Sequence, residues 1–167
     1  LAAIFDSSKF REQGNFGRVV SILEEHPKLA HGSYKSVYPN AEISPLCCIL
    51  TSNVPCSLQV IRTVFELNPS NVLIPQGRNQ DTALHFACRH GASMPVVEFV
   101  YSKHPAAIRT LNGSGRPPLE CLLPRLKNTA GVQSGLLTLN ILLLSSPEAI
   151  LVKNGRRQNL LEAALNL

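Results

Sequence analysis

The stretch Asp81-Thr82-Ala83-Leu84-His85-Phe86-Ala87-Cys88-Arg89-His90-Gly91 decides how the rest of the chain is read. Thr82 is a residue type that caps helices, Leu84, Ala87 and Cys88 make one small apolar face at helical spacing, and Gly91 supplies a stop. The spacing predicts a helix of little more than two turns, too short to be stable alone in water. Its support is expected next along the chain, over residues 94–102, where Val96, Val97, Phe99 and Val100 form a second apolar helix that ends at His104-Pro105.

Two anchors then recur. Leucine follows a helix-starting pair in Ser44-Pro45-Leu46, Thr82-Ala83-Leu84, Pro117-Pro118-Leu119 and Asn159-Leu160-Leu161. A helix stop of the form X-Pro recurs at His26-Pro27, Asn68-Pro69, His104-Pro105 and Ser146-Pro147. The two sets drift together along the chain, which marks an internal repeat of helix pairs.

The wording Thr82-Ala83-Leu84-His85-Phe86-Ala87 resembles the Thr-Pro-Leu-His-x-Ala signature of the ankyrin repeat, with Ala83 in place of the usual proline. The resemblance covers nearly the whole chain, closest in the third unit and faintest at both ends. It implies an all-α helical solenoid of stacked helix-turn-helix repeats, about four plus a final partial one, in a single domain. The units fall near 1–40, 41–78, 79–113, 114–155 and 156–167. The spacings exceed the roughly 33 residues of this repeat class, so loops must absorb the surplus. The resemblance also implies that His85 is structural, its imidazole hydrogen-bonding backbone and fixing the hairpin-like fingers between units.

Along the chain, residues 1–30 read as a cap, with Asp6, Ser7, Ser8 and Lys9 polar where an internal unit would be apolar and Val19, Val20, Ile22 and Leu23 on its second helix. A connection over 31–43 carries Tyr34 and Tyr38, expected to cover the edge of the stack. In the second unit, helices are expected near 44–51 and 58–67, with Val60, Ile61, Val64 and Phe65 as a buried stripe. Fingers are expected at Gly77-Arg78-Asn79-Gln80, at Leu111 to Arg116 around Asn112-Gly113, and at Lys153 to Arg157. Pro124 predicts a kink or an early helix end near Leu123, residues 128–135 a polar mobile insertion, and residues 136–144 the second helix of the fourth unit. The final helix, from Asn159, is apolar nearly all round and is expected to carry a further helix or to be a truncated repeat.

The chain has 167 residues, a net charge of +5 and only 5% aromatic residues with no Trp, which suits thin helices packed through Leu, Val, Ile, Ala and Cys. Cys47, Cys48, Cys56, Cys88 and Cys121 form no Cys-x-x-Cys pair and are odd in number, so neither a disulfide framework nor a zinc site is indicated, and buried reduced thiols in an intracellular protein, cytoplasmic or nuclear, are expected. No secretory leader is read at Leu1, and with no initiating Met the expectation is an excised domain. The most apolar run, 136–144, is far short of the roughly 20 residues a spanning helix needs, so no membrane insertion is expected.

No catalytic set, cofactor loop or metal motif is recognisable. The resemblance implies instead a non-enzymatic module that holds a partner protein along its concave side, as a monomer. The repeat register points two residues outwards at the end of each first helix: Glu12 and Gln13, Thr51 and Ser52, Arg89 and His90, Pro124 and Arg125. The fingers add Lys35, Arg78, Arg116, Lys153, Arg156 and Arg157. The expected partner-binding set is therefore Arg78, Arg89, His90, Arg116, Arg125, Arg156 and Arg157. An acidic or phosphorylated segment suits arginine forks, whereas loop solubility alone is the plainer reading. Two other functions are kept beside it: a basic nucleic-acid-binding module, opposed by the few aromatics, and a thiol enzyme using Cys47, Cys48 or Cys88.

Overall fold

Helices of six to ten residues gain too little from their own hydrogen bonds to persist, so their arrangement is dictated by what each can bury against its neighbours. The computed structural model describes residues 16–35, 42–52, 56–127 and 129–166. These are mostly helical: α1 Phe16–Glu25, α2 Pro45–Leu50, α3 Leu58–Leu67, α4 Ala83–His90, α5 Met94–Lys103, α6 Leu123–Leu126, α7 Thr129–Ser145 and α8 Leu160–Leu165. Five 3₁₀ turns accompany them, at Pro27–His31, Pro69–Val72, Pro105–Arg109, Pro118–Leu122 and Pro147–Leu151. Two short strands, β1 Tyr34–Lys35 and β2 Glu42–Ile43, pair antiparallel with Tyr34 opposite Ile43. The expected cap residues 6–14, Tyr38 and Asn128 lie outside the described residues.

The helices form two rows. In one, α1 packs on α3, α3 on α5 and α5 on α7; in the other, α2 packs on α4, α4 on the 118–122 turn and that turn on α8. Both sequence anchors correspond to recurrent backbone conformations. The residues before the four prolines, His26, Asn68, His104 and Ser146, have φ between −131° and −152° and ψ between 70° and 86°. The helix-starting residues Ser44, Thr82, Pro117 and Asn159 have φ between −66° and −81° and ψ between 161° and 177°. A residue before proline is pushed out of the α region, which is why the same dipeptide ends each long helix in the same way.

Local chemistry sets the remaining boundaries. Ser44 caps α2 through the Cys47 N–H at 3.4 Å, and Asn159 and Glu162 exchange reciprocal bonds of 2.9 and 2.8 Å at the start of α8. Gly91, at φ 69°, ends α4 in the left-handed region, with its N–H on the Ala87 carbonyl. Polar struts cross between successive pairs. Asn68 donates to the Ala30 carbonyl at 3.1 Å, and the equivalent His104 reaches the Val72 carbonyl at 3.4 Å. At the finger tips, Gly113 N–H donates to the Asn79 carbonyl at 2.6 Å and Gly155 N–H to the Gly115 carbonyl at 2.7 Å.

The core runs along both rows. Leu46, Leu84 and Leu119 are buried, as are Ile61, Val64, Val96, Val97, Phe99 and Val100, while Val60 and Phe65 are partly covered. Phe65 and Phe99 meet edge to face at 5.4 Å, with Lys103 above both rings.

Two expectations are corrected. Leu161 does not continue the buried leucine row: it is 60% exposed and Leu160 is buried instead, because no described element packs on the far side of α8. Residues 129–135 are not a loop but the first two turns of α7. Their glycines serve packing, since a Cβ at Gly135 would lie 2.7 Å from Leu126 Cδ2 and one at Gly131 would lie 3.0 Å from the Arg125 carbonyl. The early helix end expected near Leu123 is present: a 3₁₀ turn over Pro118–Leu122 gives way to α6 at Leu123, placing Pro124 in a first turn where its missing N–H is not needed.

Truncating Leu84 to alanine should lower unfolding stability by about 2–5 kcal/mol. The register-equivalent Leu161→Ala should change it by less than about 0.5 kcal/mol. Denaturant titration of both variants checks the contrast.

Candidate functional site

Sequence reasoning points to the finger tips and the ends of the first helices, and the structure sorts those residues into distinct environments. Asp81, 2% exposed, receives both guanidinium edges of Arg89, Nη2 at 3.0 Å and Nη1 closer still, and the Asn112 amide at 2.7 Å. Arg89 Nη2 also lies 3.5 Å from Cys121 Sγ. Arg89 therefore differs from the outward-facing expectation. A buried carboxylate needs a paired cation; the bidentate fork ties the end of α4 to the base of its own finger, and the Asn112 amide joins the next finger to the same carboxylate.

His85 is fully buried and bridges the same two fingers. Its Nδ1 accepts from the Thr82 N–H at 3.2 Å and lies 2.8 Å from the Thr82 hydroxyl, which leaves Nε2–H to donate to the Arg116 carbonyl at 3.0 Å. Burial outweighs these bonds and lowers its pKa below the ordinary 6.5, so the ring is neutral. Glu120 holds the corresponding position of the fourth unit and accepts from Asn154 Nδ2 at 3.0 Å.

The finger tips are built around buried asparagines. Asn112 Oδ1 accepts from the N–H groups of Ser114 and Arg116, both at 3.0 Å. Asn154 Oδ1 accepts likewise from Arg156 at 2.9 Å and Gln158 at 3.0 Å. Arg116, Arg156 and Arg157 on these turns, and Arg78 on the 77–80 finger, are exposed. Arg116 has Glu120 at 3.5 Å, and Arg116 and Arg156 share a hollow of about 320 Å³ with Glu120, Asn154 and Gln158. Arg157 sits further round the same finger at φ 63°.

His90 and Arg125 come together elsewhere. With Ser52 they occupy the second outward position of three successive units, and all three line one cavity of about 390 Å³. Ile49, Leu50, Cys56 and the 91–93 turn complete most of its wall, and Ser134 closes it from α7. His90 stacks on Phe86 with ring centroids 6.5 Å apart. Sequence reasoning missed Ser93, Cys56 and Ser134. Ser93 lies two residues beyond the stop glycine and was within reach of the repeat register, whereas Ser134 sits in the segment read as an insertion.

The cysteines are free and mostly buried. Burial pushes Cys47 up to about 12 and Cys56 up to about 11, and raises Cys88 and Cys121 too, so the nucleophilic thiolate is disfavoured at neutral pH. Among the described residues no group of three or more His, Cys, Asp or Glu side chains could hold a metal ion, and no helix is long and apolar enough to cross a membrane. No protein-family model matches the chain, and no curated protein matches it.

Two measurements check these environments. Because the folded His85 pKa lies below 6.5, the unfolded chain takes up the proton first as pH falls. The His85 contribution is therefore full above about pH 6.5 and lost on acidification through the lowered folded value. The drop in stability between about pH 7.5 and 5 should be shallower in His85→Gln than in the parent, as read from urea midpoints. Thiol-reagent labelling at pH 8 should be slow at Cys47, Cys88 and Cys121 in the folded chain and fast in denaturant.

Proposed function

We propose that the chain is an ankyrin-type solenoid of about four repeats and a partial fifth, and that it is a non-enzymatic binding module for a partner protein. The partner lies along the concave surface made by the first-helix ends and the fingers. The observation that carries this reading is the shared cavity: Ser52, His90 and Arg125, one from each of three successive units, converge on a single open hollow. A binding surface assembled from equivalent positions of neighbouring repeats is what a stacked architecture offers. The two helix rows, the recurring backbone conformations before each proline and the finger-bridging His85 support the repeat assignment. The raised thiols favour binding over nucleophilic catalysis.

Charge gives the partner its chemistry. Arg78, Arg116, Arg156 and Arg157 project from the fingers, so the engaged segment is acidic or phosphorylated. The module acts inside the cell, as a monomer.

The test is capture from cell extract by the intact chain and by a triple variant, Arg78→Glu, Arg116→Glu and Arg156→Glu, whose helical signal and denaturation midpoint match the parent. Captured protein should fall by about tenfold or more in the variant, since reversing rim charges opposes encounter as well as contact. Undiminished capture overturns the assignment of the finger surface. Capture abolished by nuclease overturns it in favour of nucleic-acid binding.

A further inference from the structure

The cavity that Ser52, His90 and Arg125 share contains a charge without a counter-charge. Arg125 Nε is buried and has no hydrogen-bond partner. The ion pairs among the described residues use Arg89, Arg109 and Arg116, not Arg125. None of the described residues lining the cavity is acidic. A buried donor that carries charge is costly to leave unpaired, and natural structures rarely do so without a reason.

The guanidinium is also held in place. A Cβ built on Gly91 would fall 2.2 Å from Arg125 Cζ and Nη2, and one on Gly131 would fall 3.6 Å from Nη2. The group therefore lies against bare backbone at the end of α4 and in the first turns of α7. At Gly91 the left-handed φ of 69° already selects glycine, so the helix stop and the slot for the arginine are the same residue. In the lining of the same cavity, the Ser93 hydroxyl makes no capping bond to α5, and the Ser134 hydroxyl donates to the Gly131 carbonyl at 3.1 Å. Ile49, Leu50 and Cys56 give part of the wall an apolar character.

We infer that this cavity receives one carboxylate, that of an Asp or Glu side chain of the partner protein, with Arg125 as its counter-ion and Ser93 as a hydroxyl partner. The inference rests on the binding-module reading above and specifies which group of the partner is recognised and where. A single arginine fork matches the two oxygens and one charge of a carboxylate, whereas a phosphate dianion calls for more than the one arginine, and no lysine, that this lining supplies. The apolar wall accommodates the methylene stem. A volume of about 390 Å³ takes one side chain and its flanking backbone.

The experiment uses the intact ¹⁵N-labelled chain, titrated with N-acetyl-glutamate N-methylamide, with the matching glutamine compound and with inorganic phosphate. The glutamate compound should shift the Arg125 Nε–H and the Gly91, Ala92 and Ser93 amides saturably, with the glutamine compound at least about tenfold weaker. Loss of the response in Arg125→Met, its spectrum otherwise parental, supports the assignment. No shift, equal shifts with glutamate and glutamine, or phosphate binding more tightly than glutamate each overturn it, and the probe comparison decides even if Arg125→Met fails to fold. Capture of partners that survives while the probe response is absent removes this cavity but leaves the binding module. A probe response that persists while finger reversal leaves capture unchanged removes the finger surface and leaves the cavity.

Discussion

At Ala30 and Val72, backbone carbonyls at the end of one helix pair take side-chain hydrogen-bond partners from the next pair along. Asn68 and Asn71 both reach the Ala30 carbonyl, His104 reaches that of Val72, and in the opposite direction His85 donates to the carbonyl of Arg116. A buried carbonyl without a donor costs about as much as a lost hydrogen bond. Neighbouring pairs therefore support one another, and the apolar rows on which they also pack add to this. The buried apolar residues of these rows form one continuous cluster, from Phe16 in α1 to Ala163 in α8.

That economy of short helices also explains how charge is distributed. Asp81 lies at the base of a finger, where three amide and guanidinium groups converge, and it takes Arg89 out of the surface. Arg125, one register position further along its own unit, meets no acid among the described residues. Two arginines that look interchangeable in sequence thus end in opposite states, one neutralised within the fold and one still in need of an anion.

Much of the fold was legible because its signals are local. The bounds of α3 and the stop at Gly91 follow from capping, periodicity and the X-Pro rule, all of which act within a few residues. What escaped depends on neighbours. Gly131 and Gly135 read as loop residues because composition does not distinguish a flexible glycine from one that lets α6 approach α7. Leu161 matched its leucine row in sequence, yet burial requires a following element, and none is described there. Arg89 pointed outwards by register, and only the position of Asp81 turns it inwards. Of the candidate site, the convergence of Ser52, His90 and Arg125 could be anticipated from equivalent positions; the uncompensated charge could not, since it arises from the absence of acids contributed by three separate units.

The backbone contact between the last two fingers has a mechanical meaning. A Cβ at Gly115 would sit 3.0 Å from the Gly155 Cα, so the loops touch without intervening side chains, joined by the Gly155 N–H to Gly115 carbonyl bond. Arg116 and Arg156 each directly follow one of these glycines. The spacing of their two backbone anchor points is consequently set by main-chain geometry, whatever rotamers their long side chains adopt.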